Sequence, residues 1–239
     1  MEMMSYKLFD KDLNNIDLTS KLVVNTINPH SYVTAKDDKE FRDALVDSDI
    51  LIPDGSGIVL AAKFLYDKAI QKTAGADLHK FLLEKTNKSS GKVFYMGASQ
   101  NTLDKIEEKI KKEYPNIEVG SYSPPYKSEF TKEDNDVIIE KINSFEPDIL
   151  FIGMTAPKQE KWLHKHKNRL SFNVASSIGA VFDFYAGTVE RPADIWVKLH
   201  LEWLGRLIKE PKRMWKRNFV STPLFLMDMF LYKINFKKV

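Results

Sequence analysis

The chain alternates short apolar runs with longer amphipathic stretches, and most of the runs end at Gly, Pro, Asn or Ser. Runs of this kind fit strands buried on both faces of a parallel sheet, whereas apolar residues returning every three or four positions fit helices. Lys21 to Ile27 reads as the first strand, and Pro29 opens a helical region that reaches Ser48 with a break near Asp37. Asp49 to Ile52 is the second strand, closed by Pro53 and followed by helices over Ser56 to Tyr66 and Asp77 to Glu84. Lys92 to Met96 is a strand, and Thr102 to Lys112 is a helix with Leu103, Ile106 and Ile110 on one face. Ile117 to Tyr122 (strand), Lys132 to Ser144 (helix), Ile149 to Ile152 (strand), a helix carrying Trp162 and Leu163, and Phe172 to Ala175 (strand) continue the series.

Such repetition predicts an α/β fold, a Rossmann-like three-layer sandwich with a mostly parallel sheet and right-handed crossovers. The tail differs. Asp194 to Ile208 places Ile195, Leu199, Trp203 and Leu207 on one helical line, and Pro211 breaks it. Val220 to Tyr232 is rich in Leu, Phe and Met but holds Asp228 and falls short of the ~20 residues a spanning helix needs. Residues 1–190 are therefore expected to form the Rossmann-like domain that carries the chemistry, and 191–239 a helical appendage. The apolar run of that appendage serves either a membrane interface or, equally, the core or a homo-oligomer contact.

Composition and the amino-terminal residues sharpen this picture. With 239 residues and 43% hydrophobic content, one sizeable core is the expectation. The overall charge of +3 conceals a division, because residues 191–239 hold eleven Lys/Arg against four Asp/Glu, a net of +7 against −4 for the rest. No cysteine is present, which excludes disulfides and thiolate metal sites. No secretory signal precedes Lys7, Asp10, Lys11 and Asp12, so a cytoplasmic location is expected.

The stretch Asp54-Gly55-Ser56-Gly57 is the first candidate for chemistry. It follows a strand at the edge where open α/β sheets bind ligands, and its glycines let the backbone approach a bulky group while Asp54 projects into the crevice. The alternative is that Asp54 caps the next helix. Gly97-Ala98-Ser99 opens a helix and offers N–H groups to a phosphate, or is a plain turn. Gln159 and Glu160 either bind a ligand's hydroxyls or orient Asp54, or else serve as a helix cap and a surface acid.

Other motifs fail. Gly55-Ser-Gly57 lacks the third glycine of the dinucleotide fingerprint. Asp47-Ser-Asp49 precedes its strand and Asp134-Asn-Asp136 falls within a helix, so neither fits a metal-binding Asp-x-Asp motif. His164 and His166 are two apart on a helix and share no face. No metal, cofactor or nucleic-acid partner is expected.

An ordered set of motifs carries a family resemblance. Asn25-Thr26-Ile27-Asn28, Pro53-Asp-Gly-Ser-Gly57, Thr73-Ala-Gly-Ala-Asp77-Leu78, Ala156-Pro-Lys-Gln-Glu160 with Trp162, and Gly179-Ala-Val-Phe-Asp183 come first. Ala186-Gly187, Arg191-Pro192, Leu201-Glu-Trp-Leu204 with Arg206-Leu207, and Glu210-Pro211 with Arg213 follow. In this order they resemble the WecG/TagA/CpsF glycosyltransferases from about residue 20 to 217. Thr155, Lys72 and Asn218 depart from the residues usual there.

The resemblance implies an inverting transferase that moves a sugar, often N-acetylmannosamine, from a UDP-sugar donor to a lipid-diphosphate-linked sugar acceptor on undecaprenol. Such enzymes serve teichoic acid and other surface-polymer synthesis. It implies Asp54 as base with Thr26 beside it, and places Asn28, Gly55, Gly57, Gly97, Gln159, Glu160 and Arg191 among the substrate-binding positions. Arg206, Arg213 and Arg217 belong to an appendage that closes over the site, peripheral on the inner face of the cell membrane. Competing readings are a non-catalytic nucleotide-sugar-sensing adaptor at the membrane surface and a soluble epimerase or dehydrogenase.

Overall fold

Six parallel strands form the sheet of the computed structural model, which describes residues 1–189, 207 and 211–236. In chain order they are β3 (Leu22–Ile27), β4 (Ile50–Pro53), β5 (Lys92–Gly97), β6 (Glu118–Tyr122), β7 (Ile149–Gly153) and β8 (Val174–Ser177). Their spatial order is β4-β3-β8-β7-β5-β6. A separate antiparallel hairpin, β1 (Glu2–Met3) with β2 (Tyr6–Lys7), precedes them. It was not anticipated from the sequence, because two-residue strands leave no readable alternation.

Helices cover both faces. Against one lie α4 (Gly75–Ser89), α5 (Gln100–Glu113) and α8 (Gly179–Ala186), which bury Leu78, Leu103, Ile106 and Phe182 against Val93, Tyr95 and Phe151. Against the other lie α6 (Lys132–Phe145) and α7 (Lys158–His166), with Ile138, Ile142, Trp162 and Leu163 on Phe94, Leu150 and Ile152. Alternate strand residues serve opposite faces, as the pleat requires. The expected Rossmann-like three-layer sandwich is what forms, and the main sheet is parallel throughout.

The helical region read between Pro29 and Ser48, with its break near Asp37, is two helices, α1 (Pro29–Asp37) and α2 (Lys39–Val46). Asp38 ends the first and caps the second by accepting from Phe41 N, which explains the break. Lys161 of α7 reaches Asp38 and Glu40 at 3.1 Å each, which ties α7 to the start of α2. Trp162 Nε1 donates to Asn135 Oδ1 of α6 at 2.7 Å, so α6, α7 and α2 are joined across one face.

Some boundaries move. The last strand begins at Val174 rather than Phe172 and runs through Ser176 and Ser177, which pair with Phe151 and Ile152. Two serines look like a turn in sequence, yet here they are buried in the ladder. Pro53 belongs to β4, in register with Ile27, so the strand runs one residue beyond the expected stop.

Toward the β4 edge, α3 (Ser56–Tyr66), α1 and the hairpin enclose a third apolar cluster. The carboxyl-terminal residues join it. A short helix α9 (Pro211–Trp215) leads into a π-helical turn (Lys216–Ser221) that packs on α1, and α10 (Thr222–Phe236) follows against α1 and α3. Phe225 and Met229 are buried there, Phe225 edge-on to Tyr32 at 5.2 Å between ring centroids. Lys36 pairs with Asp228 at 2.6 Å, and Lys233 donates to the carbonyls of Phe64 and Leu65. The opposite side of α10 exposes Met227, Phe230, Leu231 and Ile234. The two sequence readings of the apolar run thus divide by face: one side is core, and the other faces outward. The helical stretch expected over Asp194 to Ile208 lies outside the described residues apart from Leu207.

Candidate active site

The neighbouring strands β3 and β4 end side by side, with Thr26 opposite Ile52 and Ile27 opposite Pro53. Their exit turns therefore meet at the carboxyl edge of the sheet. Asp54 N donates to Ile27 O at 2.8 Å, which holds the Asp-Gly-Ser-Gly turn to the end of β3. Asn28 leaves β3 and caps α1, its Oδ1 accepting from Ser31 N at 2.9 Å. Pro29 at the first helical position starts that helix without sacrificing a bond.

The cap position of α3 is taken by Gly55, at φ +89°, so Asp54 stands one residue outside the helix. Only glycine adopts that backbone without strain. Gly57 packs on Pro29: a Cβ there would lie 2.5 Å from the proline Cγ. Thr26, Asn28, Asp54, Gly55 and Gly57 are thereby brought to one place, with Thr26 and Asp54 half-buried.

Gly97 ends β5 at φ +109° beside Gly153, the end of β7, and Ser99 caps α5 by accepting from Thr102 N. The helices that follow β5 and β7 pack on opposite faces of the sheet. This divergence opens the kind of crevice where α/β proteins hold ligands.

Gln159 and Glu160 sit in the first turn of α7, and both are buried. The surface-acid reading of Glu160 fails for this reason. Gln159 Oε1 accepts from Met154 N at 3.2 Å and Gly179 N at 3.0 Å, linking the exits of β7 and β8. Its Nε2 donates to Glu160 Oε1 at 2.8 Å. The other carboxylate oxygen, Oε2, is buried with no hydrogen-bond partner among the described residues. Burial pushes the Glu160 carboxyl up to about 7, against the hydrogen bond from Gln159 and the charge of Arg217, which both pull it down. A buried acid with an unmet oxygen is costly to a fold, and such groups collect at working sites.

Arg217, half-buried on the π-helical turn, also acts on His30 in the first turn of α1. His30 Nδ1 lies 2.8 Å from Ser221 Oγ. Burial, then Arg217 and Lys216, lower the His30 pKa to about 4. No sequence signal marks His30 or Ser221, because they are 191 positions apart. Of the other expected arginines, Arg191 and Arg206 lie outside the described residues, and so does the side chain of Arg213 on α9.

The rejected motifs are accounted for structurally. Asp49 Oδ2 accepts from Val23 N at the amino edge, opposite the candidate site. Asp134 closes a capping box with Thr131 at the start of α6, and Asp136 pairs with Arg169 at 2.6 Å.

These features define an α/β protein with a Gly-rich turn carrying Asp54 at the carboxyl edge of a parallel sheet, the edge at which open α/β folds hold ligands. The sequence matches the glycosyl transferase WecG/TagA/CpsF family over residues 5–239, and the chain belongs to that family. It is 32% identical over 214 residues to the N-acetylglucosaminyldiphosphoundecaprenol N-acetyl-beta-D-mannosaminyltransferase of Bacillus subtilis (strain 168), covering 90% of this chain and 81% of that one. Proteins of the same name from Bacillus spizizenii (strain ATCC 23059 / NRRL B-14472 / W23) and Staphylococcus aureus (strain MW2) are 30% and 26% identical. Those alignments cover 88% and 92% of this chain, and 79% and 84% of the relatives.

Proposed function

We propose that this protein is an inverting hexosyltransferase that moves N-acetylmannosamine, or a closely related sugar, from a UDP-sugar to an undecaprenyl-diphosphate-linked N-acetylglucosamine. The observation that carries this reading is the meeting of the two exit turns, which sets Asp54 beside the end of β3 and Thr26. The names of the relatives supply the substrate class.

Asp54 takes the proton from the acceptor hydroxyl as its oxygen attacks the anomeric carbon on the face opposite UDP. The bond from that carbon to the diphosphate oxygen breaks, and UDP leaves with the electron pair. Thr26 helps position the reacting groups. Arg217, with Arg206, Arg213 and Arg191, offsets charge on the departing diphosphate, so no metal ion is required. Asn28, Gly55, Gly57 and Gly97 let donor and acceptor approach the backbone. Gln159 holds Glu160 ready for a sugar hydroxyl.

The acceptor is lipid-borne, and the enzyme works at the inner membrane surface. No helix among the described residues is long and apolar enough to cross a membrane. The outward side of α10, continued by Leu60 and Phe64 of α3 through the Phe64–Phe230 ring contact at 5.1 Å, supports peripheral attachment.

Incubation with UDP-N-acetylmannosamine and a short-chain lipid-diphosphate N-acetylglucosamine tests the reading. Transfer with inverted anomeric configuration, persisting in excess EDTA, supports it. UDP binding without transfer would favour a sensing adaptor, and loss in EDTA restored by manganese would overturn the metal-free mechanism.

A further inference from the structure

We propose that His30 and Ser221 are a positioning pair, which pins the carboxyl-terminal turn to α1 and so holds Arg217 at the candidate active site. This deepens the proposed transferase function and rests on it, since the cargo of Arg217 is taken to be the diphosphate of the substrates.

The geometry begins at α1. Its first residue follows Asn28, in the exit turn that meets Asp54, and its second is His30. From His30 the ring nitrogen reaches Ser221 Oγ at 2.8 Å, and Ser221 is buried. Ser221 ends the turn that Lys216 begins, and the next residue, Thr222, returns its Oγ1 to the Arg217 carbonyl at 3.0 Å. One hydrogen bond to α1 and one within the turn therefore specify where residue 217 leaves the backbone. Met214 before the turn and Phe225 after it are buried, so the segment is seated at both ends.

Glu160 Oε2 and, on the turn itself, Asn218 Nδ2 are buried without hydrogen-bond partners among the described residues. The Arg217 charge is within electrostatic reach of both Glu160 on α7 and His30 on α1. A neutral His30 suits this post: it can share a hydrogen bond with Ser221 without adding a third positive charge beside Lys216 and Arg217. A protonated His30 would repel the residue that it positions.

A double-mutant cycle on the full chain separates positioning from mere packing. Rates are measured with UDP-N-acetylmannosamine and the short-chain lipid-diphosphate acceptor, alongside amide hydrogen exchange of the turn. His30→Ala and Ser221→Ala are each expected to lower kcat about tenfold with little change in donor KM, because the guanidinium matters most as charge develops. His30→Gln should restore most of the rate. In an Arg217→Ala background, His30→Ala should cost almost nothing further. Wild-type turnover in His30→Ala, or losses that add in full, would overturn the pair. Exchange of residues 216–221 is expected to quicken in His30→Ala and recover in His30→Gln. Unchanged exchange overturns the pair whatever the rates, whereas a wild-type protein that transfers no sugar sinks the transferase reading and leaves the exchange result to judge the pair.

Discussion

Gly57 and Pro29 touch so closely that a Cβ on the glycine would sit 2.5 Å from the proline Cγ. Through this contact the Asp-Gly-Ser-Gly turn rests on the start of α1. Gly57→Ala should push the turns apart. The proline ring cannot swing aside as a flexible chain would, so the gain in helix propensity is outweighed by overpacking of about 1–3 kcal/mol. Denaturant unfolding should show the lower midpoint, and sugar transfer should fall with it; a stabilised, active variant would mean that the two turns are not rigidly coupled.

Asp54→Asn retains the shape of the side chain and removes its basicity. The chemical step should drop by roughly 10²-fold or more while UDP affinity holds. Thr26→Ala should cost less, through lost positioning. Single-turnover rates and UDP titrations read the two quantities apart, and near-normal turnover in Asp54→Asn would remove it as the base.

Glu160 makes the fold lose stability between mildly acid and neutral pH. Its carboxyl is raised from 4.5 to about 7 on folding, so the folded state binds the proton more tightly than the unfolded chain does. The acid is neutral in both states well below pH 4.5, and its cost grows as pH climbs from about 4.5 to about 7 and then levels off, at on the order of 3 kcal/mol. Glu160→Gln removes that cost. Its stability relative to the native protein should rise with pH across this window, measured from denaturant midpoints; a difference that stays constant with pH would show that Glu160 does not titrate there.

The two sides of α10 should respond differently to substitution. Phe225 is fully buried beside Tyr32, and Phe225→Ala should destabilise the protein by about 3–5 kcal/mol. Phe230→Ser and Leu231→Ser, at positions more than half exposed, should leave the unfolding midpoint nearly unchanged. The second pair should instead weaken sedimentation with anionic vesicles, in a salt-sensitive way. Deleting 191–239 removes both effects at once and strips Phe225 and Met229 from their cluster, so the truncated chain should lose stability as well as vesicle binding. Vesicle binding unaffected by Phe230→Ser and Leu231→Ser would place the membrane contact elsewhere.

The order of the main-sheet strands and the helices between them was legible in the sequence, because buried parallel strands and amphipathic helices leave local patterns of period two or less and of three to four. Asp54 was legible as a candidate as well: a carboxylate followed by two glycines after an apolar run needs no distant partner to be noticed. Tertiary structure decided everything that depends on neighbours far apart in the chain. Strand pairing joined Thr26 and Asn28 to Asp54, since register is a property of two segments and not of one. Burial turned Glu160 from a surface acid into a raised, half-satisfied carboxyl, which depends on what α7 packs against. Likewise, the apolar run after residue 220 could be read as core or as interface, because period alone shows a stripe and not its partner. Docking on α1 and α3 assigned Phe225 and Met229 to the core, left Phe230 and Leu231 outside, and set Ser221 against His30.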